Sequence, residues 1–172
     1  MSTDPRALLA ARQRQFLGAL VGEDAPPEGI DPIRLAVAAE SLARKRARGV
    51  AKAWPDLARA LGGRFFERFS AYAARQTLPS RGGALADGAA FAQFLARSDD
   101  LADAGRREWM AVRLHFAQRR DGLARRRSPA IASAFLRQSR KWVIAVRIPW
   151  IGEHWLSLPV GRSVSTRGQS AH

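Results

Sequence analysis

The side chains with which this sequence could do acid–base or metal chemistry are His115, His154, His172 and a run of carboxylates at Asp99, Asp100 and Asp103. Their spacing does not favour it. His115 lies inside an aromatic, helix-patterned stretch (WMAVRLHFAQ), His154 opens a strand-patterned one, and His172 is the last residue. No HxH, HxxE or carboxylate cluster sets ligands at the spacing a metal needs. Asp99-Asp100-x-x-Asp103 lacks the glycine and distal glutamate of a calcium loop and reads as an acidic helix start, which the macrodipole favours. There is no phosphate-binding glycine loop and no nucleophile elbow around a serine; Gly62-Gly63 and Gly82-Gly83 read as turns. The absence of cysteine excludes disulfides, thiolate metal sites and a cysteine nucleophile. The expectation is a protein with no catalytic residue, no metal and no cofactor.

What remains is charge. Residues 42–55, LARKRARGVAKAWP, carry five cations in a helix-patterned segment. At about 100° per residue, Arg34, Arg44, Lys45, Arg48 and Lys52 fall in one arc, while Leu35, Ala39, Leu42, Ala43, Val50, Ala53 and Trp54 cluster opposite. The cations form a stripe without nearby anionic i+4 partners, which puts the expectation of an external anionic partner level with that of a merely solvated face. Arg46 breaks the pattern by lying inside the apolar arc between Leu42 and Val50. An unpaired guanidinium cannot be buried cheaply. It is expected either to snorkel from the core edge or to pair with a carboxylate such as Glu67 or Glu108, in preference to a ligand contact.

The elements that must position these residues follow from local signals. Thr3-Asp4-Pro5 and Asp31-Pro32 each pair a side-chain acceptor with a proline fit for the first helical turn. The first helix carries Leu8, Leu9, Phe16, Leu17 and Leu20 and breaks at GEDAPPEGID; the second reaches Trp54, where Pro55 ends it. A short PDLARAL helix follows, then RFFERFSAYAARQ, then a short helix that Asp87 could cap, carrying Phe91, Phe94 and Leu95. A further helix is expected from about Leu101 to Arg120, and RRDGLARRRSP reads as a basic, turn-forming hinge. Near residue 121 the period drops to two. In KWVIAVRIPW, Trp142, Ile144, Val146 and Ile148 alternate with Val143, Ala145 and Arg147, with AIASAFLR and EHWLSLPV as flanking strands. The fold class expected is α+β, mainly α: a bundle of about six helices over 1–121, a small antiparallel sheet over 122–161 packed on it, and a disordered tail over 162–172. Two or three short strands are marginal alone, so the sheet must pack on the helices or bind something.

The totals bound the partners. The 172 residues and 47% apolar content suit one domain, and no run approaches the ~20 apolar residues of a membrane span. A soluble cytoplasmic protein is the default expectation. The formal charge is +14, from 29 Lys+Arg against 15 Asp+Glu, which draws nucleic acid, anionic membrane and acidic peptide alike. Only Lys45, Lys52 and Lys141 are lysines, the usage of a GC-rich genome, so part of this charge carries no functional meaning. No helix–turn–helix, finger or zipper is visible to read a duplex, and charge without a reading element gives non-specific binding at best.

The segments RQRQFLGAL and PPEGIDPIRLAVAAESLARKRARGVAKAWPDLARALGGRFFERFSAYA, with the later Arg107-Glu108-Trp109, resemble the helical region of the HvfC/BufC-like peptide-modification partner proteins. The likeness is to a compact actinobacterial-type branch. It covers residues 7–120, and the C-terminal β segment only in outline. It implies a non-catalytic partner that binds a ribosomal precursor peptide and delivers it to a multinuclear non-haem iron oxidative enzyme. A sheet edge can take an extended peptide as an added strand; the residues expected there are Trp142, Ile144, Val146, Ile148 and Trp155. The basic stripe would meet the enzyme or an acidic leader. A nucleic-acid-binding regulator using the same stripe is the alternative.

Overall fold

The computed structural model describes residues 4–20 and 29–160; the expected break at residues 22–28 and the expected disordered tail lie outside them. Helices come first and small antiparallel strands after, an α+β chain that is mainly helical.

Helix α1 (Pro5–Leu20) starts where Asp4 accepts a hydrogen bond from the Arg6 amide at 3.0 Å. Helix α2 (Pro32–Ala53) repeats the device, with Asp31 accepting from the Ile33 amide at 2.9 Å and Pro32 in the first turn. It stops at Trp54, whose backbone leaves the helical region (φ −131°, ψ 66°) ahead of Pro55. Helix α3 (Pro55–Leu61) has no cap of its own. Glu108, from helix α6 (Asp103–His115), accepts from the Asp56 and Leu57 amides at 3.3 and 2.8 Å, satisfying two orphan donors with a charge of the right sign. A 3-10 turn, Gly62–Arg64, leads into helix α4 (Phe65–Ala73), and after a loop comes helix α5 (Gly83–Arg97).

The core of this helical region joins Val50 and Trp54 of α2 to Leu57, Phe69, Phe91 and Leu95. Phe69 and Phe91 meet edge to face with centroids 5.1 Å apart, the geometry their quadrupoles favour. Trp54 lies flat against Gly88, where any β-carbon would overlap its indole, and its ring nitrogen donates to the Leu85 carbonyl at 3.1 Å.

Two expectations are corrected here. Asp87 does not cap a helix: α5 begins at Gly83 and Asp87 is a buried residue within it. Nor does the last helix reach Arg120. It ends at His115, and the chain passes directly into strand β1 (Phe116–Arg119), which pairs antiparallel with β2 (Gly122–Arg125). Phe116 is already extended (φ −128°, ψ 139°), and the Arg126 amide returns to the His115 carbonyl at 2.7 Å. The basic hinge is therefore half hairpin. At its turn Gly122 (φ 136°) sits against the Arg81 backbone so closely that a side chain could not fit.

The second sheet has the expected strands: β3 (Ala130–Leu136), β4 (Lys141–Ile148) and β5 (Gly152–Pro159), antiparallel in the order β3-β4-β5. Ala132 faces Ala145 and Ala134 faces Val143 across the first pair. Ala132, Leu136, Val143 and Ala145 pack on Met110 and Leu114 of α6, forming a small second core. The β3–β4 turn is clasped to the start of α6, where the amide and hydroxyl of Ser139 both donate to Asp103 at 2.9 Å. Burial would push the Asp103 carboxyl up, but these bonds, with backbone help from Gln138 and Arg137, hold it below its ordinary value. An Arg137–Asp99 pair and a His115–Glu153 pair add further ties between helix and sheet.

Candidate functional site

Among the described residues, no group of three His, Asp or Glu side chains is arranged to hold a metal ion. Asp99 and Asp103 are occupied by Arg106, Arg137 and Ser139, and His115 by Glu153. No described helix is long and apolar enough to cross a membrane. The chemistry available lies in one buried ion pair and two exposed surfaces.

Arg46 is 7% exposed, as its place in the apolar arc requires, and its carboxylate is Asp87 instead of Glu67 or Glu108. The pairing is a bidentate fork: Nε donates to Oδ2 at 3.0 Å and Nη2 to Oδ1 at 2.9 Å, while Nη1 donates to the Gln76 carbonyl at 3.0 Å. Tyr72 adds its hydroxyl, donating to Asp87 Oδ1 at 2.9 Å. The guanidinium also lies over the rings of Phe69 and Tyr72, at 5.7 and 5.6 Å from their centroids. Burial and then the Asp87 charge push the Tyr72 phenol well above its ordinary range. With all three guanidinium nitrogens engaged and so little exposure, Arg46 is structural. It joins α2, which carries the stripe, to α5 and to the turn that follows α4.

On the outer surface of α2, Arg34, Arg44, Lys45, Arg48 and Lys52 are all exposed. The stripe is less free than expected. Arg44 reaches back one turn to Glu40 at 2.6 Å, and Arg34 approaches Asp31 at 3.9 Å, so the expectation of no nearby anionic partner is corrected at these two positions. Lys45, Arg48 and Lys52 have no ion pair among the described residues. Arg44 also stacks over Phe66, 4.7 Å from the ring centroid. Between α2 and the start of α4 lies a shallow notch of about 280 Å³, lined by Arg44, Ala47, Arg48, Ala51, Phe65 and Phe66. The aromatic side of this notch had been readable only as core.

The sheet offers the other surface. Because β4 is the central strand, both its edges are already hydrogen-bonded, so Trp142, Ile144, Val146 and Ile148 line a face and not an edge. They point away from α6. Trp155 is directly opposite Ala145 on β5 and so projects from the reverse face; the structure does not bring it together with the other four. Trp142 is 47% exposed and stacks on Phe135 at 5.7 Å. Ile131 of β3 and Leu156 and Leu158 of β5 extend the apolar face in register. These were missed, although the alternation in WLSLP was the available signal. Every residue of β5 is exposed, its outer edge has no strand beside it among the described residues, and the preceding turn leaves Trp150 fully in solvent at φ 77°.

A family profile described as SCO6045-like, C-terminal domain, matches residues 10–97, from within α1 to the end of α5. Over 115 residues the chain is 40% identical to a protein named UPF0276 protein from Streptomyces avermitilis, an alignment covering 64% of this chain and 23% of the relative. The chain thus corresponds to less than a quarter of that relative's length. No solved structure gives a significant match.

Proposed function

The chain belongs to the SCO6045-like, C-terminal domain family, and from that premise we propose that it is a non-catalytic binding module. In this reading it holds a ribosomal precursor peptide for a multinuclear non-haem iron oxidative enzyme in the cytoplasm. The resemblance of the helical region to peptide-modification partners supplies the partner classes, and a relative in which the matched stretch is 23% of a longer chain supports a module that works on a neighbour. Covalent linkage of such a module to its partner raises their effective concentration without any new contact.

The observation that carries the reading is β5. It is an eight-residue strand, exposed throughout, with a free outer edge beside an apolar sheet face. Exposed edges of this kind are strand templates that most proteins take care to blunt. An extended peptide added there would gain main-chain bonds from β5 and side-chain contacts from Leu156 and Leu158 on one face and Trp155 on the other. The described strands and their connections from β1 to β5 carry nine Lys+Arg against Asp121 and Glu153, a field suited to an acidic peptide.

Hydrogen exchange of the full chain, with and without the precursor encoded beside an iron-oxidative enzyme gene, tests this. The outward-facing amides between Gly152 and Leu158 should slow at least about tenfold on binding. Unaltered β5 exchange, or the lack of any such neighbouring gene pair, would count against the peptide reading. Protection confined to α2 by random duplex, weakening steeply with salt, would favour the nucleic-acid alternative, which the unpaired Lys45, Arg48 and Lys52 keep open.

A further inference from the structure

We infer that the notch between α2 and α4 receives a single large apolar side chain from an acidic segment of a partner protein, whose carboxylates engage Arg44 and Arg48. The inference rests on the reading of this chain as a partner-binding module but concerns a different surface from the β5 edge.

Three features converge on that occupant. The floor is apolar and rigid: Ala47 is a buried core residue, Ala51 lies one turn further on, and Phe65 is held from below by Phe69 and Phe91 at 6.1 and 5.8 Å. The rim is cationic, with Arg44 and Arg48 one helical turn apart on the same side. Arg48 has no ion pair among the described residues, and the Arg44–Glu40 pair is more than half exposed on both sides, so it is readily exchanged for a better anion. An apolar anchor inside a ring of charge is the anatomy of an interface hot spot.

Other occupants fit less well. A second copy of this chain would bring another +14, against the field of the rim. Nucleic acid would find one face of Phe66 already covered by Arg44, which leaves less open ring for a base to stack on. Acidic protein with a leucine-like anchor answers both the charge and the apolar floor.

The test uses the full chain with labelled alanine methyl groups. The probes are a short capped glutamate peptide carrying leucines at i and i+4, the same peptide with serines for leucines, and the same with glutamines for glutamates. Saturable shifts of the Ala47 and Ala51 methyls are expected with the first peptide and at least about tenfold weaker binding with either control. Ala51→Glu and, separately, Arg48→Glu should each weaken the first peptide by about tenfold while the thermal midpoint of Arg48→Glu, a surface change, stays in place. Equal binding of the serine peptide, or no Ala47 and Ala51 shifts with any peptide, would overturn the inference. Either result leaves β5 exchange with the precursor untouched, so failure here and failure of the peptide reading are told apart.

Discussion

The helical region and the three-stranded sheet solve the burial problem differently. The helices enclose their apolar residues from several sides and bury even a charge, because Arg46 meets Asp87, Tyr72 and the Gln76 carbonyl together. The sheet packs one face on a single helix, α6, and among the described residues nothing covers the other face or the β5 edge. A buried ion pair adds little net stability over an apolar replacement, yet it is severe to break. An apolar sheet face that no other described element covers contributes less to the fold than the face packed on α6. The difference directs the search for a partner to the sheet, while the buried charges of the helical region account for its architecture.

The sharpest way to break this contrast is Arg46→Met. It leaves Asp87 buried without its counter-charge and should cost about 3–5 kcal/mol in denaturant unfolding. Combining it with Asp87→Leu should recover most of that loss; if the double variant is no better than the single, the pair is not what holds α2 to α5. Next in size is Leu136→Ala in the small core under the sheet, expected to cost about 2–4 kcal/mol. A value near zero would mean that the sheet is not docked on α6.

Smaller effects belong to the clasp between them. Removing the Ser139 hydroxyl with Ser139→Ala should cost about 0.5–1 kcal/mol. Because the Asp103 carboxyl is held below its ordinary value in the folded state, its contribution is full above the unfolded carboxyl pKa of about 3.9 and is lost as pH falls through the lowered folded value. Urea midpoints of the parent and Ser139→Ala should therefore differ near neutrality and converge in acid; a gap that widened in acid would reverse the sign argued here. Smallest of all in stability is Ile131→Ser, at a 70% exposed position on the face turned away from α6, expected within about 0.5 kcal/mol of the parent. A loss of several kcal/mol would show that this face is part of the fold and not a surface held for a partner.

Much of the local structure was legible. Asp31-Pro32 and Pro55 mark the ends of α2 because capping and the missing proline amide act within a turn. The alternation from Trp142 to Ile148 marks β4 because side chains leave opposite faces of a strand. The apolar arc also marked Arg46 as either snorkelling from the core edge or paired with a carboxylate, and it is buried against Asp87. Less legible was the end of α6: nothing within WMAVRLHFAQ stops a helix, and the strand starts at Phe116 because β2 supplies a pairing partner. The identity of Asp87 was missed for a related reason. Its carboxylate reads as a cap when only neighbours are considered, and the residue it serves lies 41 positions away.

The amino-acid order alone determined where most segments coil or extend and which flank of each is greasy, since caps, prolines and side-chain period operate over a few residues. Only the tertiary structure decided that Asp87 answers Arg46, that β4 sits in the middle with its edges spent, and that Phe65 and Phe66 complete a notch beside Arg44 and Arg48. Those outcomes depend on which elements meet, and that is fixed by the burial of many side chains at once, so no single stretch of sequence contains it.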